Sequence, residues 1–281
     1  MGQISFDYFI GVIGRLKIIK RELIVVQTQK SQEVNMTMHP QLTQALNRQN
    51  ALKVISGLNN FDRQRVTAVV KAAETGGATF VDIAAQPELV AAIRNLTSLP
   101  ICVSAVEPEL FVSAVDAGAD LIEIGNFDSF YSQGRRFEAP EVLELTQRTR
   151  SLLPQVTLSV TVPHILALDE QVKLAEQLVQ AGADIIQTEG GTSIQPVSPG
   201  VRGLIEKAAP TLAAAHSISH AVDIPVLCAS GLSSVTVPMA IAAGASGVGV
   251  GSAINQLDSE VAMVAAVRSL VEALAHRVTV S

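Results

Sequence analysis

Gly118-Ala-Asp-Leu-Ile-Glu-Ile-Gly-Asn126 is the stretch on which the fold turns, because its pattern recurs three more times. Gly77-Ala-Thr-Phe-Val-Asp-Ile-Ala-Ala85, Gly182-Ala-Asp-Ile-Ile-Gln-Thr-Glu-Gly190 and Gly244-Ala-Ser-Gly-Val-Gly-Val-Gly-Ser252 share its small-residue turn, short apolar run and small or polar close. Each copy follows a segment of helical periodicity. Its glycine therefore falls where a helix ends in a left-handed residue, and the apolar run after it reads as a buried strand. Strand patterns between the copies, at Leu52 to Gly57, Ile101 to Val106, Thr157 to Val162 and Pro225 to Gly231, raise the count to eight. Helical patterns fill the gaps at Asp62 to Thr75, Glu88 to Leu96, Glu109 to Ala117, Glu141 to Leu152, Asp169 to Ala181, Val201 to Val222, Val235 to Ala243 and Ser259 to His276. Eight strands, each followed by a helix, predict an α/β fold of the closed (β/α)8 TIM-barrel type. A doubly wound nucleotide-binding sheet is disfavoured, because Ser56-Gly57-Leu58-Asn59-Asn60 follows the first strand where the fingerprint G-x-G-x-x-G would be needed.

Composition agrees with this reading. Apolar residues make up 48% of the 281 positions, yet only 4% are aromatic and none is Trp. The core must then be built from Ala, Val, Ile and Leu, as in parallel strands covered on both faces by helices. Acidic side chains outnumber basic ones 26 to 20, which argues against nucleic acid as a partner, since phosphate backbones are held by excess Lys and Arg. The 34 positions between Asp223 and Asp258 carry no charge, but Pro225, Gly231, Pro238, Gly244, Gly247, Gly249 and Gly251 cut them into strand and helix lengths, so no membrane span is expected. Cys102 and Cys228 have no metal-type spacing, and neither a disulfide framework nor a metal site is predicted.

Residues 1–38 stand apart, with Arg15, Lys17, Lys20, Arg21 and Lys30 against Asp7, Glu22 and Glu33. They lack the unbroken apolar run of a secretory signal and read as an N-terminal extension outside the core, leaving 39–281 as one barrel domain. Met36 and Met38, just before the helical pattern of Leu42, Ala45 and Leu46, are alternative starts to Met1.

Aligning the repeats by Gly-Ala places Asp82, Glu123, Gln187 and Gly249 at one strand position, pointing into the barrel, and Ala84, Gly125, Glu189 and Gly251 two residues on, at the C-terminal mouth. Lys53 is the single lysine of seven on a predicted strand. A lysine among carboxylates in an apolar barrel must be charge-compensated. Lys53, Asp82, Glu123 and Glu189 are thus the candidate catalytic residues, with Lys53 as Schiff-base nucleophile or anion ligand and the carboxylates as acid/base partners. The structural alternative is a Lys53–Asp82 ion pair between the first two strands, early enough in the strand to fill the barrel floor.

Ser230, Gly231, Gly249, Gly251 and Ser252, at the ends of the seventh and eighth strands, form a candidate phosphate site. Glycines admit the anion to the backbone, hydroxyls donate, and a short helix from Ser252 aims N–H groups at it. The charge-free surroundings predict binding through such donors instead of Lys or Arg. Gly190-Gly191-Thr192-Ser193 can add further donors. The loop from Phe127 to Pro140 gathers Phe127, Phe130, Tyr131 and Phe137 beside Arg135 and Arg136, with Gly134 as a hinge, and reads either as a lid carrying cations or as a loop packed on its neighbours. His164, after the fifth strand, is a further acid/base candidate, whereas His216 and His220 fall on a helix face without a third metal ligand.

Leu52-Lys-Val-Ile-Ser-Gly-Leu58, Ile122-Glu-Ile-Gly-Asn-Phe-Asp128 and Gln187-Thr-Glu-Gly-Gly191 together resemble the hypothetical chloroplast reading-frame family of cyanobacteria and algal plastids, from about residue 50 to the C-terminus. The resemblance implies a phosphate-binding aldolase-type barrel, without an assigned reaction, in a cyanobacterial cytosol or plastid stroma, that is, a cytoplasmic setting. Three function classes follow. The first is a lyase, isomerase or synthase acting on a small phosphorylated molecule, resembling the thiazole and pyridoxal phosphate synthases that use a barrel lysine. The second is an FMN-dependent oxidoreductase, since Ser230-Gly-Leu and Gly249-Val-Gly-Ser also resemble a flavin phosphate clamp. The third is a non-catalytic barrel that binds a phosphorylated regulator or a protein partner.

Overall fold

The computed structural model describes residues 38–191 and 195–275. The leader up to residue 37, Thr192, Ser193 and His276 lie outside the described residues. Eight parallel strands close on themselves in the order of the sequence. They are β1 (Ala51–Ile55), β2 (Phe80–Ala84), β3 (Ile101–Ala105), β4 (Leu121–Ile124), β5 (Thr157–Val162), β6 (Ile185–Thr188), β7 (Val226–Ala229) and β8 (Gly247–Val250), with β8 paired back onto β1. The helices, in chain order, are α1 (Pro40–Asn47), α2 (Arg63–Gly76), α3 (Pro87–Arg94), α4 (Pro108–Asp116), α5 (Asp128–Tyr131), α6 (Ala139–Leu152), α7 (Leu168–Gln180), α8 (Gly200–Ser219), α9 (Val237–Ala242), α10 (Ser252–Asn255) and α11 (Glu260–Ala275). Helix starts follow local chemistry. Proline occupies the first turn of α1, α3, α4, α6 and α9, where its missing N–H costs nothing, and the Asp62 carboxylate caps α2 by accepting from Gln64 N and Arg65 N at 2.9 and 3.2 Å. Helix α8 keeps Pro210 inside, as its sequence reading had it, but opens at Gly200 and ends at Ser219 instead of Val222.

The repeat glycines do what their place demands, with φ of 91°, 111°, 99° and 99° at Gly77, Gly118, Gly182 and Gly244. In three of the four copies the third residue has a role the pattern did not reveal. Thr79 Oγ1, Asp120 Oδ2 and Asp184 Oδ2 accept the N–H of Leu52, Ile101 and Leu158 at 2.9, 2.8 and 2.8 Å, tying down the start of the preceding odd strand. Asp120 and Asp184 also pair with Arg94 and Arg150 at 2.9 and 2.8 Å. Those bonds stitch the N-terminal rim of the barrel and leave the opposite rim to loops. Outward-facing strand residues such as Leu52, Val54, Val81, Ile83, Val103, Ile122, Val160, Ile186 and Val248 join the helices in one apolar core. The inside of the barrel is a separate and more polar layer.

Candidate active site at the barrel mouth

Register explains how the inner layer forms. Alternation turns Asp82, Glu123 and Gln187 inward from the even strands, while Lys53 enters from β1 beside Gly249. Lys53 Nζ donates to Glu123 Oε2 at 2.6 Å and to Gln187 Oε1 at 3.1 Å, and stands 3.6 Å from Asp82 Oδ2. The remaining lone pairs are met as well. Ser159 Oγ donates to Glu123 Oε2 at 2.8 Å, Gln187 Nε2 to Glu123 Oε1 at 2.8 Å, and Ser104 Oγ to Asp82 Oδ1 at 2.6 Å. Lys53, Asp82, Glu123 and Gln187 are all buried. Burial alone would drive the lysine toward its neutral form, but Asp82 and Glu123 outweigh it and hold the ammonium above the ordinary lysine range. The Asp82 carboxyl is pushed by burial up to about 6, against the pull of Lys53, and burial likewise keeps the neighbouring Cys102 a thiol. Lys53 therefore bridges two carboxylates: the pair with Asp82 on the adjacent strand is present at 3.6 Å, and Glu123, three strands away, is the closer partner at 2.6 Å.

Above this layer opens a cavity of about 440 Å³. Its floor is Thr161, Gln187 and Gly249, and its rim carries Asn126, Asp128, Glu189, Ser230, Gly231, Gly251, Ser252 and Asn255. Lys53, Asp82 and Glu123 are not among its lining residues, so the cavity meets the charged layer through Gln187 and through Asn126, whose Nδ2 donates to Asp82 Oδ2 at 3.5 Å. Gly249 sits there for space: a Cβ would lie 2.9 Å from Ala229 Cβ and 3.4 Å from Gln187 Oε1. The loop after β7 is conformationally unusual, with φ of 81° at Ser230 and 70° at Gly231. A left-handed serine is strained by roughly 1 kcal/mol or more, and its buried Oγ has no hydrogen-bond partner among the described residues. Asn255 Oδ1 is orphaned in the same way, while its Nδ2 donates to Ile55 O at 2.7 Å and fixes the short helix α10 to β1. Four residues give α10 little dipole, so its contribution to an anion is the N–H groups of its own first turn. The charge-free segment is not the whole wall, because Lys207, from α8, also lines the cavity, with its stem against Gly231.

Glu189 lies at the mouth, as its repeat position required, but its oxygens are occupied. Oε1 accepts from Asp128 N at 2.7 Å, and Oε2 from Tyr131 OH at 3.2 Å and from His164 Nδ1 at 3.0 Å. It anchors the loop after β4. Burial and the adjacent carboxylate hold the Tyr131 phenol protonated, and Glu189 raises the His164 imidazole although burial works against it. The same loop packs Phe127 and Phe130 on Phe137, at 4.5 and 5.5 Å between rings. Arg135 lies over the Phe137 ring at 4.2 Å and pairs with Glu141, and Arg136 is exposed; neither lines the cavity. The structure thus brings the inner charges together below the cavity and the glycine loops together above it, and leaves the two arginines outside. His216 and His220 stack on each other at the surface. Asn126, with φ of 59°, Thr161, Asn255 and Lys207 are among the cavity residues sequence reading missed: nothing local marks one helical lysine among several, or one asparagine after a strand.

A closed (β/α)8 barrel with a polar cavity at the C-terminal ends of its strands is a TIM-barrel protein, and solved structures share the fold. Thiamine phosphate pyrophosphorylase from Pyrococcus furiosus is 18% identical with a TM-score of 0.54 over 83% of this chain and 99% of that one. (S)-3-O-geranylgeranylglyceryl phosphate synthase from Thermoplasma acidophilum, in complex with sn-glycerol-1-phosphate, is 15% identical with a TM-score of 0.55 over 84% and 99%. The chain itself belongs to the family described as "Protein of unknown function (DUF561)", whose model matches residues 37–280. It is 48% identical over 201 residues to "Uncharacterized protein ycf23" of Cyanophora paradoxa, covering 71% of this chain and 82% of that protein, and 43% identical to the protein so named in Pyropia yezoensis, covering 72% and 74%. The resemblance carried by the Leu52, Ile122 and Gln187 motifs is to this same group of algal-plastid and cyanobacterial proteins. Among the described residues no helix is long and apolar enough to cross a membrane.

Proposed function

We propose that this barrel binds a small phosphorylated metabolite at its mouth and transforms it in a lyase, isomerase or synthase reaction. The phosphate rests on Gly231, Gly251, Ser252 and Ser230, and the reacting end lies against Asn126, Thr161 and Gln187. The observation that carries this reading is the strained, buried hydroxyl of Ser230 at the edge of a glycine-lined cavity, a donor without a hydrogen-bond partner among the described residues. The names of the solved neighbours, which contain phosphate esters, lend support.

Lys53 acts from beneath in this reading. It orients the Gln187 amide by binding its Oε1, so Nε2 is spent on Glu123 and on Thr161 Oγ1, and the threonine proton is left to point at the ligand. A Schiff-base role would need Gln187 to move aside and the stabilised ammonium to lose its proton. The glycine loops would serve the phosphate of FMN equally well, with Ile55, Ala229, Leu232 and Val250 as the apolar part of the wall, and the colour of the purified protein separates the two readings, yellow favouring FMN.

Calorimetric titration with phosphate esters of small hydroxycarbonyl compounds tests the reading. Binding is expected in the wild type and absent in Gly251→Asp, whose Cβ would lie 3.3 Å from Ile55 O with a carboxylate beyond it. Unaltered affinity in a folded Gly251→Asp protein sinks the site. Borohydride trapping with the same compounds should leave Lys53 unmodified, and a mass-spectrometric adduct there would restore covalent chemistry.

A further inference from the structure

We infer that Lys207 is the cation that makes the proposed phosphate site selective for dianionic phosphate monoesters over singly charged diesters. The inference rests on the phosphate reading and adds to it a specificity-determining residue from outside the loops of β7 and β8. Three observations carry it. Lys207 is half-buried and lines the cavity, and among the described residues it makes no hydrogen bond or ion pair. Its acidic neighbour Glu206 is turned away, accepting from Ser198 N and Ser198 Oγ at 2.9 and 2.6 Å. Finally, the lysine is held in place by the site it would serve: a Cβ on Gly231 would come within 2.8 Å of Lys207 O and 3.0 Å of Lys207 Cγ, so backbone and stem run directly along the left-handed Ser230–Gly231 turn.

The charge balance of the cavity gives this lysine its weight. The other charged residues lining it are Asp128 and Glu189, both acidic. Backbone N–H groups and hydroxyls alone would offer an anion no net charge against two carboxylates, and the repulsion grows with each charge on the ligand. A dianion is therefore favoured only while Lys207 stands beside the turn, whereas a diester, with one charge and fewer free oxygens, depends on it less. Lysine suits this task, since a compact ammonium on a flexible stem meets a tetrahedral phosphate as a point charge.

The experiment compares methyl phosphate with dimethyl phosphate at pH 8 by phosphorus NMR titration, in wild type, Lys207→Met, Lys207→Arg and Gly251→Asp, each checked for an unchanged melting temperature. Wild type is expected to prefer methyl phosphate by about tenfold or more, Lys207→Met to lose about 10- to 100-fold in affinity for it and most of the preference, and Lys207→Arg to retain both. Retention of affinity and preference in Lys207→Met, with binding abolished in Gly251→Asp, overturns the role of Lys207 and leaves the phosphate site standing. Binding that survives Gly251→Asp, or is absent from the wild type, overturns the phosphate reading and this inference with it.

Discussion

The interior of the barrel and its mouth hold similar chemical groups in opposite states. Inside, Lys53, Asp82, Glu123 and Gln187 are buried, and each is matched by partners within the layer. At the mouth, a few ångströms of chain further on, Ser230 Oγ and Asn255 Oδ1 have no partners and Lys207 is free of carboxylates among the described residues. Charge concentration, which drew sequence reading to the interior, marks a place where electrostatics has been satisfied. Unpartnered polar atoms also occur at Thr157 Oγ1 on β5 and Gln171 Oε1 on α7, but those of Ser230 and Asn255 are the two that border the cavity, where the proposed ligand would meet them. Buried charges are costly enough that the fold closes their accounts itself, whereas a ligand site must keep donors idle until the ligand arrives.

The largest effect should come from breaking the interior. Lys53→Met leaves Glu123 and Asp82 buried without their cation and should cost about 3–5 kcal/mol in urea unfolding, part of which returns when Glu123→Gln is added. A loss below about 1 kcal/mol would mean that water already reaches the layer.

Next in size is a pH effect at Asp82. Its folded pKa of about 6 lies above the ordinary 3.8, so between those values the folded protein holds a proton that the unfolded chain has released. Stability from this residue accordingly falls as pH rises through that window, and above it the ionised carboxylate is a net cost of about 2–3 kcal/mol. Asp82→Asn, which keeps an oxygen for Ser104, should be more stable than wild type by about that amount at pH 7.5 and equal to it near pH 4. Equal stability at both pH values would place an ordinary carboxylate in the barrel.

The smallest effect should come from the mouth. Glu189→Ala removes the acceptor shared by Asp128 N, Tyr131 OH and His164, and should lower global stability by only about 1–2 kcal/mol. Amide exchange over 126–134 should nevertheless accelerate well beyond that of the strands, since loops open locally while the barrel stays closed. Uniform acceleration through β4 and β6 would show that Glu189 supports the barrel as a whole.

Much of the fold was legible because it is written in short-range repetition. The four Gly-Ala turns required left-handed glycines, and period-two alternation sent Asp82, Glu123 and Gln187 inward together. Boundaries were less legible where the same residue suits two states: α8 ends at Ser219, short of Val222, and β1 and β7 stop at Ile55 and Ala229, before the glycines that follow them. At the site, the glycine and serine positions after β7 and β8 were readable from spacing, as was the placement of Glu189. That Glu189 anchors a loop, and that Arg135 turns toward Glu141, depends on rotamers and neighbours that no local pattern specifies.

By itself, then, the sequence determined the strand number, the handed turns, the polar inner layer and the glycine-rich rim, because each follows from backbone sterics and side-chain alternation within a few residues. Only closure of the barrel decided that Lys53 reaches Glu123 and Gln187, 70 and 134 positions away, as well as Asp82 next door. Closure also sealed that lysine beneath the cavity and brought Lys207 from α8 against Gly231. Those pairings are set by distance in space across a closed sheet, and distance in space is what a linear order of residues does not contain.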